Sequence, residues 1–262
     1  VQQFAEEHFR SDPDDHRAVQ QAHGAFYFGL LAEHGSCLSG KDQVQALKMI
    51  GANIQNIRAA WQWGLATLAS DPSRHLPLVI NSLGQFYDMR SWFQEGLDVF
   101  SAAVAAVEQE WAVHNQEPGI QRLLGSLLVR QGMFAARLSR REDAWAWLER
   151  GLELLRPVED WSEMTLALRL LGDLAFDHGE LVRAQQYLDE ALAVNEKAAD
   201  LLNGAVIFDI LSNLSRVRGD LEQAKAHTMQ GLTLYQRLEN PWGMAMASNN
   251  LGILNGAQWA YD

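Results

Sequence analysis

Gly35-Ser36-Cys37-Leu38-Ser39-Gly40-Lys41 spells Gly-x4-Gly-Lys, a stretch whose residue types and spacing match a phosphate-cradling loop. In such a loop the backbone amides and the Lys hold phosphates, and a following Ser or Thr binds magnesium. Here the following residue is Asp42, a carboxylate that can approach a metal but repels the phosphates the loop has to hold. The motif also needs a buried strand to deliver the loop at a sheet edge, whereas the residues before Gly35 follow a helical pattern. The segment therefore reads as a capped connection between helices.

Other chemistry is sparse. The eight His residues show neither His-Glu-x2-His nor His-x3-His spacing, so they read as surface or capping residues. Cys37 is the single cysteine; it cannot build a Cys-rich zinc site, it excludes an intrachain disulfide framework, and it fits a reducing, cytoplasmic compartment. The expectation is a protein without catalytic residues, metal or cofactor, and not an enzyme. Lys and Arg number 21 against 33 Asp and Glu, a net charge of −12. The longest basic run, Arg140-Arg141, is followed at once by Glu142 and Asp143, so the footprint that nucleic acid requires is missing. No apolar run reaches the ~18 residues of a membrane span. Val1-Gln2-Gln3 carries no secretory leader, and the chain reads as a piece cut from a larger protein.

The elements that must position any site are legible from a period. Gly132, Gly172 and Gly252 stand 40 residues apart or at a multiple of it, Ser212 fills the gap in the series, and Ala144, Ala184 and Ala224 follow twelve residues behind. Small side chains recurring at two points of each unit are what the close crossing of a helical hairpin demands. In the best-ordered unit Leu168, Leu171, Gly172 and Ala175 share one helical face, Gly179-Glu180 interrupts, and Ala184, Leu188, Ala191 and Leu192 form the partner face. Leu211, Ser212 and Ser215 with Ala224, Thr228 and Gly231 repeat it, as do Gly132 and Ala135 with Ala144, Leu148 and Gly151. Pro157 and Pro241 fall between units, where a proline ends one helix and lets another start. With 48% hydrophobic residues over 262 positions, such an array can bury a continuous core.

These residues resemble the tetratricopeptide repeat, whose pattern includes Leu-Gly-x2-Tyr in the first helix and Ala-x3-Phe in the second. Leu83-Gly84-x2-Tyr87 with Gly96-x3-Phe100 is the nearest copy, Leu171-Gly172-x2-Ala175 with Ala184-x3-Leu188 a good one, and Leu251-Gly252 opens a copy left incomplete. The family's Tyr is replaced by Ala135, Ala175, Ser215 and Asn255, and the spacing is 40 rather than the usual ~34. The interval of 48 from Gly84 to Gly132 points to one extended loop around His114-Asn115-Gln116-Glu117-Pro118. The resemblance covers residues 74–262, about four hairpins and a truncated fifth, and implies an all-α, right-handed superhelical solenoid of antiparallel helix pairs. Residues 1–73 form a helical segment outside the repeat: one long helix through His34, the 35–40 loop, then a helix presenting Ile50, Ile54, Ile57 and Trp61 on one face. His23-x3-Tyr27, Leu38-x-Gly40 and Asn56-Ile57-Arg58-Ala59-Ala60-Trp61-x-Trp63 resemble the lead-in to the repeat arm of STAND-class signalling ATPases, including bacterial transcription regulators. That similarity implies a nucleotide-binding core upstream and a sensing role for the arm.

Positions 40 apart should stack as ladders: Val129, Arg169, Asp209 and Asn249; Met133, Asp173, Asn213 and Ile253; Ala136, Phe176 and Arg216. In tetratricopeptide arrays the first helices line a concave groove, so the resemblance implies that Arg169, Asp173, Asp177, Asp209, Asn213, Arg216 and Asn249 are offered there to a protein or peptide partner or a small inducer. The competing reading is of ordinary solvated positions whose ion pairs contribute little, with Arg169 neutralised by Asp209. The expected function is recognition, as the sensor arm of a STAND-type regulator or as a free-standing tetratricopeptide adaptor, with no nucleic acid or membrane bound by this segment. Trp145 and Trp147, two residues apart, lie on different sides of their helix; one is expected in the inter-repeat core and the other over a neighbouring turn, unless one anchors a partner.

Overall fold

Left-handed turn residues at 40-residue intervals divide this chain into helices. Ser139, Gly179 and Gly219 have φ of 59°, 74° and 82°, and the next amide in each case donates back to the carbonyl of Ala135, Ala175 or Ser215. This closes off the orphan carbonyls of a helix end. Glu159, Ala199 and Glu239, at 51°, 52° and 50°, repeat the device between units. On the far side of those turns Asp160, Asp200 and Asn240 accept from the backbone amides of Glu163, Asn203 and Gly243, which starts the following helix.

The computed structural model describes residues 13–68, 76–114 and 117–259. Among them are twelve α-helices and no strand: α1 (Pro13–Gly35), α2 (Gln43–Ala52), α3 (Ile54–Ala66), α4 (Leu76–Met89), α5 (Phe93–His114), α6 (Pro118–Arg137), α7 (Arg141–Leu155), α8 (Trp161–Asp177), α9 (Leu181–Ala198), α10 (Leu201–Val217), α11 (Leu221–Arg237) and α12 (Pro241–Trp259). The tightest packing is between consecutive helices, α6 on α7, α8 on α9 and α10 on α11. One apolar core runs from Phe28 to Leu214, and a smaller cluster around Ala205, Tyr235 and Ala247 follows it. The helix α1 packs on α3 and α4, so this core passes from the amino-terminal segment into the repeat without a break. The expectations for Val1–Gln3, the boundary at 73/74 and the Tyr261–Asp262 end lie outside the described residues. No helix among those described is long and apolar enough to cross a membrane.

The small-residue series does what its spacing implies in three pairs. A Cβ on Gly132 would lie 2.7 Å from Leu148 Cγ and 3.1 Å from the Ala144 carbonyl; one on Gly172 would lie 2.8 Å from Leu188 Cγ. At the third crossing the Ser212 and Thr228 hydroxyls hydrogen-bond at 2.7 Å, so a polar pair replaces the glycine contact. Gly252 stands in the same register with nothing within 4 Å. Gly172→Leu is therefore expected to cost about 1–3 kcal/mol through overpacking, whereas Gly252→Ala should raise stability by about 0.5–1 kcal/mol through helix propensity alone. Paired thermal melts of the two variants check this, and equal shifts would mean that the crossing face is misassigned.

Three sequence expectations are corrected. Gly84 does not mark a hairpin crossing: a Cβ there would meet the Arg130 side chain at 2.9 Å, and α5 packs more on α6 than on α4. The extra length between Gly84 and Gly132 resides chiefly in α5, whose 22 residues exceed the 15 to 18 of α7, α9 and α11. Asn115 and Gln116, at the centre of the expected loop, lie outside the described residues. Ile50 and Ile54 are both buried, yet they belong to different helices, because Asn53 stands at a break where its side-chain amide donates to the Met49 carbonyl.

Candidate functional site

The first helices of successive pairs carry a connected set of charges. The guanidinium of Arg137, at the end of α6, donates from Nε to Asp88 Oδ1 at 2.8 Å and from a terminal nitrogen to Oδ2 at 3.2 Å. That bond, with Asp173 and Asp177 nearby, holds Arg137 above its ordinary pKa. One pair further on, Arg169 Nε donates to Asn203 Oδ1 at 2.8 Å, and Asn203 is itself held by Asp200, whose carboxylate accepts from its backbone and side-chain amides at 2.9 Å each. The cluster thus spans α4, α6, α8 and α10.

Its two central groups are strained in opposite senses. Burial pushes the Arg169 guanidinium below its usual value against the pull of Asp173, while burial and then Asp177 push the Asp173 carboxyl up against the pull of Arg169 and Arg137. Both side chains nevertheless keep partial solvent contact. Desolvated charges that keep partial solvent contact would offer an incoming group interactions that water screens poorly.

Of the residues expected in the groove, Arg169 and Asp173 form this centre, and the exposed Asp177 lies at its edge beside Arg137. Asp209 must be corrected: it is only 7% exposed and accepts from the Tyr235 hydroxyl at 2.6 Å within its own helix pair. The reason is visible in its ladder. Val129 meets Gly151 and Asp209 meets Gly231, so these positions face the end of the second helix rather than open space. Arg169 consequently donates to Asn203 and feels the charge of Asp173, and it makes no pair with Asp209. Asn213 is half-buried, while Arg216 and Asn249 are exposed; none of the three joins the cluster by a hydrogen bond. Asp88, Arg137 and Asn203 were missed, although the register carried a signal for one of them: Arg137 and Asp177 are 40 apart, and the Asp177 charge acts on Arg137.

Sequence reading also missed Arg130. It is 2% exposed, and its two terminal nitrogens donate to the Glu163 carboxylate at 2.8 Å each, with a further bond to Asn81 Oδ1 at 3.3 Å. From α6 it reaches both neighbouring first helices, α4 through Asn81 and α8 through Glu163. Trp145 and Trp147 are both half-buried against the core, each with a cation over its ring, Arg183 at 3.8 Å and Arg140 at 5.8 Å. No group of three or more His, Cys, Asp or Glu that could hold a metal occurs among the described residues. The Gly35–Lys41 segment lies in a turn between α1 and α2, as its helical surroundings require, with no strand behind it.

These features define a helical protein of consecutively packed pairs with a helical-repeat-like fold and a cluster of charges on its first helices. Among solved structures it is similar to a crystal structure of BtubC (BKLC) from P. vanneervenii, with a TM-score of 0.61 and 18% identity, covering 76% of this chain and 80% of that one. No protein-family model and no curated protein matches the chain.

Proposed function

We propose that this chain is a tetratricopeptide-type right-handed solenoid whose function is recognition, and that it serves as the cytoplasmic sensor arm of a STAND-type regulatory ATPase. The observation that carries the recognition reading is that Arg169 and Asp173 are desolvated yet keep partial solvent contact, and in this reading they line a polar recess. Leaving charges in such a state costs stability, and a ligand that supplies the missing partners would recover that cost. The occupant is a protein or peptide segment or a small polar inducer. Binding it would act as a population shift, favouring one arrangement of arm and ATPase core through unequal affinity for the two. The lead-in residues 56–63 support the STAND attachment; without it, the same recess would serve an adaptor. No catalytic role is proposed.

The test is a ligand and peptide screen by calorimetry on the wild-type chain and on Arg169→Ala. The substitution should lower the melting temperature, because Asn203 loses its donor and the desolvated Asp173 loses a neighbouring cation, and it should weaken any groove ligand by about tenfold or more, the effect of removing one charge-assisted hydrogen bond. Ligands bound equally well by both forms would place recognition elsewhere and sink this reading of the recess.

A further inference from the structure

Among the described residues the helices pack on those one to three places away in the chain, and Asn240 departs from that pattern. Asn240, buried at 6% exposure, donates from Nδ2 to the Ser39 carbonyl at 2.9 Å across 201 residues of sequence. Beside it Lys41 Nζ lies 2.7 Å from Glu239 Oε2, and Gly40 approaches the Leu238 carbonyl so closely that a Cβ there would stand 3.4 Å from it. The α1–α2 connection thus meets the α11–α12 connection. Leu38 belongs to the main core and Leu238 packs on the smaller one, so this junction joins the amino-terminal part of the main core to a cluster that the core otherwise meets at α10.

Residue chemistry marks the junction as specific. The cap position before the last three first helices is Asp160, then Asp200, then Asn240, and all three accept from the amide three residues on. Only the last also needs a donor, because it faces a carbonyl. An Asp there would cap the helix equally well but would set a carboxylate against the Ser39 oxygen. Glu239 occupies a left-handed turn position that Glu159 and Ala199 occupy in the preceding units, and here its side chain meets a cation. The ion pair is exposed, 65% for Lys41 and 64% for Glu239.

We propose that residues 39–41 and 238–240 form a clasp that closes the helical array on itself, and that its opening is a conformational change separate from unfolding. One exposed ion pair and one hydrogen bond hold it, while no core residue has to leave its place for it to part. Opening frees the first connection from the last and alters the curvature of every pair between them, including the helices that carry Arg137 and Arg169. The clasp rests on the geometry of the two connections and stands whether or not the recess binds a ligand.

Carbodiimide coupling tests it directly, because a zero-length reagent joins Lys41 to Glu239 only while they touch. Mass spectrometry of the monomer should recover that linked peptide from the wild type. Asn240→Asp, which keeps the cap and the fold, should lower its yield about three- to tenfold, the weight of one hydrogen bond, with an unchanged melting temperature and a larger maximum dimension by small-angle scattering. The charge swap Lys41→Glu with Glu239→Lys should restore the link in the opposite sense, whereas Lys41→Glu alone should give an extended particle. Absence of the link in the wild type, an undiminished yield in Asn240→Asp, or a link found only between isotopically distinct copies would each overturn the proposal.

Discussion

Glu163→Ala is expected to destabilise this protein by about 3–5 kcal/mol, the loss that follows when a buried charge is left without its partner. Arg130 has nowhere to turn. Its side chain is 2% exposed, both terminal nitrogens are bound to the two Glu163 oxygens at 2.8 Å, and Gly84 leaves no more than its own missing Cβ as room around Cδ. Asn81 at 3.3 Å is neutral and cannot replace a carboxylate. Glu163 also stands in the first turn of α8, where the helix dipole favours a negative group, so its removal loses that contribution too. Urea unfolding of the variant should show the loss as a lower midpoint with an unchanged slope. The double variant Arg130→Met with Glu163→Leu should regain most of it, since an apolar pair of similar volume avoids desolvating charges. A single-variant loss below ~1 kcal/mol would mean that Arg130 reaches water by another route.

The second large effect depends on pH. Asp209 is 7% exposed; burial raises its carboxyl from 3.8 to about 6, against the opposing effect of the Tyr235 hydroxyl bond, and its Oδ1 has no hydrogen-bond partner. Burial and the neighbouring carboxylate push the Tyr235 hydroxyl up in turn, so it stays protonated as the donor. Because the folded carboxyl holds its proton more tightly than the unfolded one, its contribution is fully present below pH 3.8 and is lost as pH rises through about 6. The span corresponds to about 3 kcal/mol. Asp209→Asn keeps an acceptor for Tyr235 and has no charge to bury. At pH 7 it should stabilise by about 1–3 kcal/mol, with the gain shrinking to nothing towards pH 4. Stability curves of the two forms between pH 4 and 8 check this; parallel curves would show that Asp209 titrates normally.

These two sites expose the limit of a period as a guide. The spacing of Gly132, Gly172, Ser212 and Gly252 located the crossings of three helix pairs correctly, because a crossing is made by residues within one unit and every unit must satisfy the same steric demand. Gly84 looked like another member, and its best match to the repeat pattern lay there, yet its space is filled by Arg130 from the next first helix. Asp209 shared a ladder with Arg169, but a ladder fixes only which residues stack. Whether a position opens to solvent depends on what packs over it: Gly151 lets the second helix close on Val129 and Gly231 lets it close on Asp209, whereas the equivalent position of the pair that holds Arg169 is Ala191.

The sequence alone determined that the protein is all-helical, where most helices turn, which small residues let them cross, and that the Gly35–Lys41 motif has no strand to stand on. All of these follow from local sterics and hydrogen bonding within some twenty residues of chain, which the residue types encode directly. Only the tertiary structure decided that Arg130 is buried against Glu163, that Arg137 is held by Asp88, that Asp209 is withdrawn from the recess, and that Asn240 reaches back to Ser39. The burial of Asp209 depends on how closely the two helices of its own pair approach, and the other three on the angle between successive helix pairs. That angle is set by the summed packing of many side chains, and no single spacing in the sequence records it.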